Sequence, residues 1–166
     1  MEGVTVTDDY LANNADYAKS FHGPLPLPPS KHIAILACMD ARIDVYRVLG
    51  IQEGEAHVIR NAGGVVTDDA IRSLAISQRL LGTTEIILIH HTDCGMLTFT
   101  DDDFKRAIQD ETGVKPPWSP EAFPDPAEDV RQSLHRIENS PFVTKHTSVR
   151  GFVFNVATGK LDEVTG

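Results

Sequence analysis

Two short stretches of the chain hold residue types that do chemistry. In CMDAR, residues 38–42, a thiol, a carboxylate and a guanidinium recur at alternate positions as Cys38, Asp40 and Arg42. In HHTDCG, residues 90–95, the imidazole of His91 stands just before the only other cysteine, Cys94. Two thiolates and one imidazole suit Zn²⁺, which takes sulfur and nitrogen ligands tetrahedrally and, with three protein ligands, keeps a place for water. Asp40 either takes that fourth place and closes the site, or is held off it by Arg42, whose rigid fork pairs bidentately with a carboxylate. An open site would lower the pKa of bound water to roughly 7 and make hydroxide available at neutral pH. A closed one would be a structural zinc site in a binding protein.

Each of these residues also has a plainer use. Free cysteine is among the most buried residue types, so Cys38 and Cys94 taken singly are small core hydrophobes. Taken with His91 and Asp40 they point to a metal, and the C-x-x-C spacing of a redox pair is absent. Consecutive strand residues face opposite ways, so His90 is a packed or hydrogen-bonded histidine and not a partner of His91. His22, His32, His57, His135 and His146 have no companion ligands at useful spacing, although His57 could stand behind the ligands. Asp40 and Arg42 could be an ordinary surface ion pair, worth little. Their alternation with Cys38 argues otherwise, because such positions share one face of an extended chain. Gly63 and Gly64 in RNAGG form a tight turn, or let backbone approach the pocket and offer N–H groups to an anion.

Positioning these residues is the task of an alternating pattern of strands and helices. Apolar runs at 32–37, 56–59, 85–90 and 149–156 read as strands, and helical spacing marks 67–82, 101–112 and about 126–139. The helix at 67–82 has Thr67 as N-cap, Asp68 and Asp69 in its first turn, Ile71, Leu74, Ala75 and Leu81 on one face, and Gly82 as C-cap. The turn ATGK within 153–164 predicts a hairpin and one antiparallel edge strand. The fold class is therefore α/β, three-layered, with a mostly parallel sheet of order about 2-1-3-4 plus that edge. In such a sheet ligands gather where the winding reverses, beyond the carboxyl ends of the first and third strands. CMDAR follows the first of these and His91 to Cys94 the third, so the two stretches meet. Val65, Val66 and Met96 are expected to wall the pocket. Ahead of this body, 7–21 reads as an amphipathic helix with Thr7 as N-cap, and 23–30, with four prolines, as an extended connector.

Composition narrows the possible partners. The 166 residues, 41% of them hydrophobic, fit one domain over 1–166, with 1–30 as arm and connector and 31–166 as catalytic body. A net charge of −9 repels phosphate backbones, so no nucleic-acid partner is expected. No apolar run reaches the roughly 18 to 20 residues of a membrane helix, and the acidic start lacks the apolar segment of a secretory signal. The expected location is cytoplasmic, where thiols stay reduced.

Cys38-x-Asp40-x-Arg42 followed by His91-x-x-Cys94 resembles the β-class carbonic anhydrases, and the likeness runs on through VIRNAGG at 58–64 and DDAIRSLAIS at 68–77. It covers about 31–164 and looks closest to the compact prokaryotic branch. The resemblance implies a zinc enzyme, with one ion per chain, that hydrates CO₂ reversibly to bicarbonate through zinc-bound hydroxide and assembles as a dimer or tetramer. It implies Cys38, His91 and Cys94 as metal ligands and Asp40 and Arg42 as the catalytic dyad, Asp40 becoming a fourth ligand in a closed state. Carbonyl sulfide and carbon disulfide hydrolases share this metal site, and CMDAR, EAHVIRNAGGV and GFVFNVATGKL are similar to that group as well. The substrate is thus a small, linear, uncharged molecule, with CO₂ and COS both open, and water.

Overall fold

The run IAILAC at Ile33–Cys38, here β1, is apolar throughout and buried from Ala34 onward, as a parallel strand covered on both faces must be. The computed structural model describes residues 3–144 and 148–166. The remaining strands are β2 (Ala56–Asn61), β3 (Glu85–His91), β4 (Ser148–Phe154) and β5 (Leu161–Val164). They form one sheet of order β2-β1-β3-β4-β5. Its first four members run parallel, and β5 returns antiparallel to β4 through the ATGK turn. The expected order and antiparallel edge are both present. His146 lies outside the described residues.

Helices cover both faces. Ala34 and Leu36 of β1, with Ile86 and Leu88 of β3, pack on Ala70 and Leu74 of α3 (Asp68–Leu81) and Ile137 of α5 (Pro126–Asn139). On the other face Ile35, Ala37 and Ile89 meet Ile43, Val45, Val65, Met96 and Phe123. Val45 opens α2 (Val45–Leu49), a helix the sequence reading did not anticipate: five residues are too few to display a period. Its only local signals are the caps, Asp44 accepting from Arg47 N–H and Gly50 in the left-handed region.

The α3 helix starts and stops where expected, with Thr67 accepting from Ala70 N–H and Gly82 left-handed at φ +76°. Its buried face differs: besides Ala70 and Leu74 it includes Ser77 and Gln78. Buried polar groups need partners, and Ser77 Oγ has two, His57 Nδ1 at 2.7 Å and Thr83 Oγ1 at 2.6 Å. These bonds tie His57 to α3, away from the ligands, which corrects the idea that it stands behind them.

The α4 helix (Asp101–Thr112) buries no residue, and neither does α1 (Val6–Ser20). The cap of α1 is Thr5 and not Thr7, because Thr5 and Asp8 form a reciprocal capping box that Thr7 cannot make. Tyr10, Leu11, Tyr17 and Phe21 are exposed. The arm touches the body through Tyr17, whose hydroxyl donates to Glu53 at 2.9 Å. Residues 21–26 have no regular structure, and Ser30 N–H donates to Gly54 O at 2.9 Å. Among the described residues, no helix is long and apolar enough to cross a membrane.

Candidate metal centre

The parallel register sets Ala37 of β1 beside Ile89 of β3, so both strands end at the same level. Cys38, His91 and Cys94 come together there, all buried, with one donor atom from each within 4.8 Å of the others. Cys38 Sγ lies 3.2 Å from His91 Nε2. The imidazole is oriented from behind: Nδ1 is 2.7 Å from the carbonyl of Thr92, which can only accept, so Nδ1 carries the hydrogen and in the neutral ring Nε2 presents its lone pair. Thr92 itself is fixed by its N–H to Phe154 O at 2.9 Å and by its hydroxyl accepting from Val156 N–H at 3.1 Å. Two sulfurs and one correctly presented imidazole nitrogen are a donor set that fits zinc.

The two thiols are electrostatically unequal. Cys38 is pulled down to about 4 by its hydrogen bond with Cys94, against burial, with help from His91 and from the backbone N–H groups of Asp40 and Gly63. Cys94 is pushed up by the adjacent Cys38 and by burial. Burial opposes charge on His91, but its bonds to Cys38 and to the Thr92 carbonyl outweigh this and its pKa is raised.

Asp40 and Arg42 stand as a fork facing a fork. Arg42 Nε donates to Asp40 Oδ1 at 3.0 Å and Nη2 to Oδ2 at 2.9 Å, and the Arg42 backbone N–H adds a bond to Oδ1 at 2.8 Å. Arg42 thereby holds the Asp40 carboxyl well below the usual carboxylate range, against the cost of burial. Asp40 Oδ2 stays 3.6 Å from His91 Nε2. The same guanidinium reaches the other loop, donating from Nη1 to Asp93 Oδ2 at 2.8 Å and from Nη2 to Asp93 O at 2.9 Å.

Glycine shapes the floor. Gly63, at φ +88°, lines the pocket beside the three donors. Gly64, at φ +67°, is wedged so closely that a Cβ would sit 2.8 Å from Cys38 N and 2.9 Å from Ile89 O. Close backbone approach is thus the use of this turn.

A cavity of about 560 Å³ opens above the three donors. Met96 lines it as expected, whereas Val65 and Val66 are buried in the two cores instead. Three aromatic rings share the wall with it: Phe99 and Phe104 lie 5.2 Å apart, and Phe104 and Trp118 6.4 Å. The sequence reading missed these rings, because Phe104 and Trp118 belong to a helix and a proline-rich loop with no motif. It also missed Asp93, although Asp93 lies inside HHTDCG, and Arg60 of β2, which donates to main-chain oxygens of Cys38 and Asp40. His90 faces away, with Nε2 2.7 Å from Asp129 of α5, as strand alternation requires.

A family model described as carbonic anhydrase matches residues 33–161. The chain is 83% identical over 162 residues to a Mycobacterium tuberculosis protein named beta-carbonic anhydrase 1, covering 98% of this chain and 99% of that one. It is 35% identical over 160 residues to a carbon disulfide hydrolase of Acidianus sp., covering 81% and 78%. Its structure resembles that of a carbonic anhydrase from Streptococcus mutans with a TM-score of 0.92 and 39% identity, covering 98% and 99% of the two chains.

Proposed function

The chain belongs to the β-class carbonic anhydrase family, and from that premise we propose how its own side chains serve the reaction. It is an enzyme that hydrates carbon dioxide reversibly to bicarbonate, with zinc as cofactor. Cys38, His91 and Cys94 would hold zinc, which would supply the Lewis acidity that makes hydroxide available from water near neutral pH. Arg42 keeps the Asp40 carboxylate turned from the three donors and ionised. Ionised Asp40 is an acceptor only. It takes the hydrogen bond of the reacting water and turns a lone pair of that water toward the carbon of CO₂. Met96, Phe99, Phe104 and Trp118 receive an uncharged linear gas and keep bulk water from it.

The observation that carries this reading is the bidentate Asp40–Arg42 pair set beside three converging donors. Its test is Asp40→Asn. The variant is expected to keep its zinc while turnover falls by about 100-fold or more. Undiminished turnover would remove Asp40 from the chemistry, and loss of zinc would make it a ligand of a closed site.

Relatedness to a carbon disulfide hydrolase supports a second reading, hydrolysis of carbonyl sulfide or carbon disulfide by the same residues. Assays of CO₂, carbonyl sulfide and carbon disulfide on one preparation decide it: rapid sulfide release with poor CO₂ hydration would reverse the order.

The working unit we propose is a homodimer, or a tetramer built from it, of a single-domain chain in the cytoplasm. What supports the dimer is α1, a 15-residue helix with no buried residue, since an isolated helix of that length is marginal in water. A second copy would cover Tyr10, Leu11 and Phe21. What supports a reducing location is the pair of free cysteines.

A further inference from the structure

A strand that stops must find partners for the peptide groups beyond its last pairing. The β1–β2 ladder ends at Cys38 opposite Asn61, followed by one more bond from Met39 N–H to Asn61 O at 2.8 Å. Past that point the main chain turns and carries Asp40 and Arg42. What meets it there is Arg60, which stands on β2 opposite Ala37. Arg60 Nε and Nη2 donate to the carbonyl of Cys38 at 3.0 and 2.6 Å, and Nη2 also donates to the carbonyl of Asp40 at 2.9 Å.

Arginine residues at a strand edge commonly pair with carboxylates. Among the described residues Arg60 has no such ion pair, and its donors go to main-chain oxygens on either side of Met39. Fixing the two carbonyls fixes the peptide planes that follow Cys38 and Asp40. Those planes determine where the Cys38 sulfur and the Asp40 carboxylate stand, at 3.2 Å and 3.6 Å from His91 Nε2. Lysine, with its compact ammonium on a flexible stem, lacks the planar fork needed to hold two oxygens at set angles.

We propose that Arg60 is a positioning residue of the metal centre, bracing the carbonyls of Cys38 and Asp40 so that a zinc ligand and the carboxylate beside it are presented in fixed geometry. The inference rests on the metal-centre reading above. Arg60 touches neither ligand atoms nor substrate; it acts through the main chain. Groups that orient ligands in this way typically contribute about 10- to 100-fold in metal affinity or activity.

The test compares Arg60→Ala, Arg60→Gln and Arg60→Lys with wild type by zinc competition against a chromophoric chelator, by the absorption spectrum of the cobalt(II)-substituted protein, and by melting of the metal-free protein. Arg60→Ala and Arg60→Gln are expected to bind zinc about 10- to 100-fold more weakly, with shifted cobalt–thiolate bands, and to melt without metal close to wild type. Arg60→Lys should lie between them and wild type, and added guanidinium should partly restore the Arg60→Ala protein. Wild-type zinc affinity with an unshifted cobalt spectrum would overturn the proposal. A fall in affinity matched by an equal loss of metal-free stability, unresponsive to guanidinium, would equally overturn it and leave Arg60 a general structural residue. If Arg60→Ala does not fold, Arg60→Lys decides: weakened zinc binding on an intact fold supports the brace, and unchanged binding refutes it. Wild-type protein without stoichiometric zinc would instead sink the metal-centre reading itself.

Discussion

Arg42 is the residue on which the two halves of the centre meet, since it holds Asp40 from its own loop and Asp93 from the loop that bears Cys94. Asp93 is 79% exposed in its side chain, so water competes for that bond. An exposed pair of this kind contributes up to ~1 kcal/mol. We expect Asp93→Ala to lower turnover by no more than about fivefold, the equivalent of that energy, with zinc content unchanged; zinc and kinetic measurements on one preparation check this. Asp40 is the contrasting case, because its carboxylate is largely covered and both its oxygens face the guanidinium. The cysteines, His91, Asp40 and Arg42 were legible in the sequence because side-chain chemistry repeats at readable spacing. Asp93 and Arg60 were not, since one works through another residue's guanidinium and the other through carbonyl oxygens that every residue possesses.

At the level of elements, the site depends on how closely strands and turns approach. Gly64 packs against the backbones of both β1 and β3. We expect Gly64→Ala to destabilise the fold by more than ~1 kcal/mol, from the left-handed φ alone, and to weaken metal binding as the strands are forced apart; chemical denaturation with zinc titration would measure both. On the far edge, Arg150 of β4 grips Glu163 of β5 with bonds of 2.7 and 2.6 Å, which lowers the Glu163 pKa. A carboxyl depressed by folding stabilises the native state above its unfolded pKa, about 4.3, and loses that contribution as pH falls through the lower folded value. Wild type should therefore melt above Glu163→Gln at pH 7, with the gap closing below about pH 4; melts at several pH values test it. Strands and long helices were readable from period and caps. The short α2 was not, and neither was the polar part of the α3 face, where Ser77 bonds Thr83 and His57 and the side-chain oxygen of Gln78 accepts from Thr144.

For the whole molecule, the sheet order followed from the sequence because parallel strands joined by helices admit few windings. What covers α1 did not follow, because amphipathic spacing indicates that a face is apolar and not which surface meets it. If a second copy supplies that surface, stability obeys mass action, and the melting temperature should rise with protein concentration in calorimetry. A concentration-independent transition, with a single-chain mass in solution, would count against the dimer. Cys38 and His91 are 53 residues apart and touch only once β1 and β3 lie side by side. In a refolding experiment, capture of the ion would then act as a clock for closure of the central crossover, lagging behind helix formation and coinciding with the appearance of native tertiary signal.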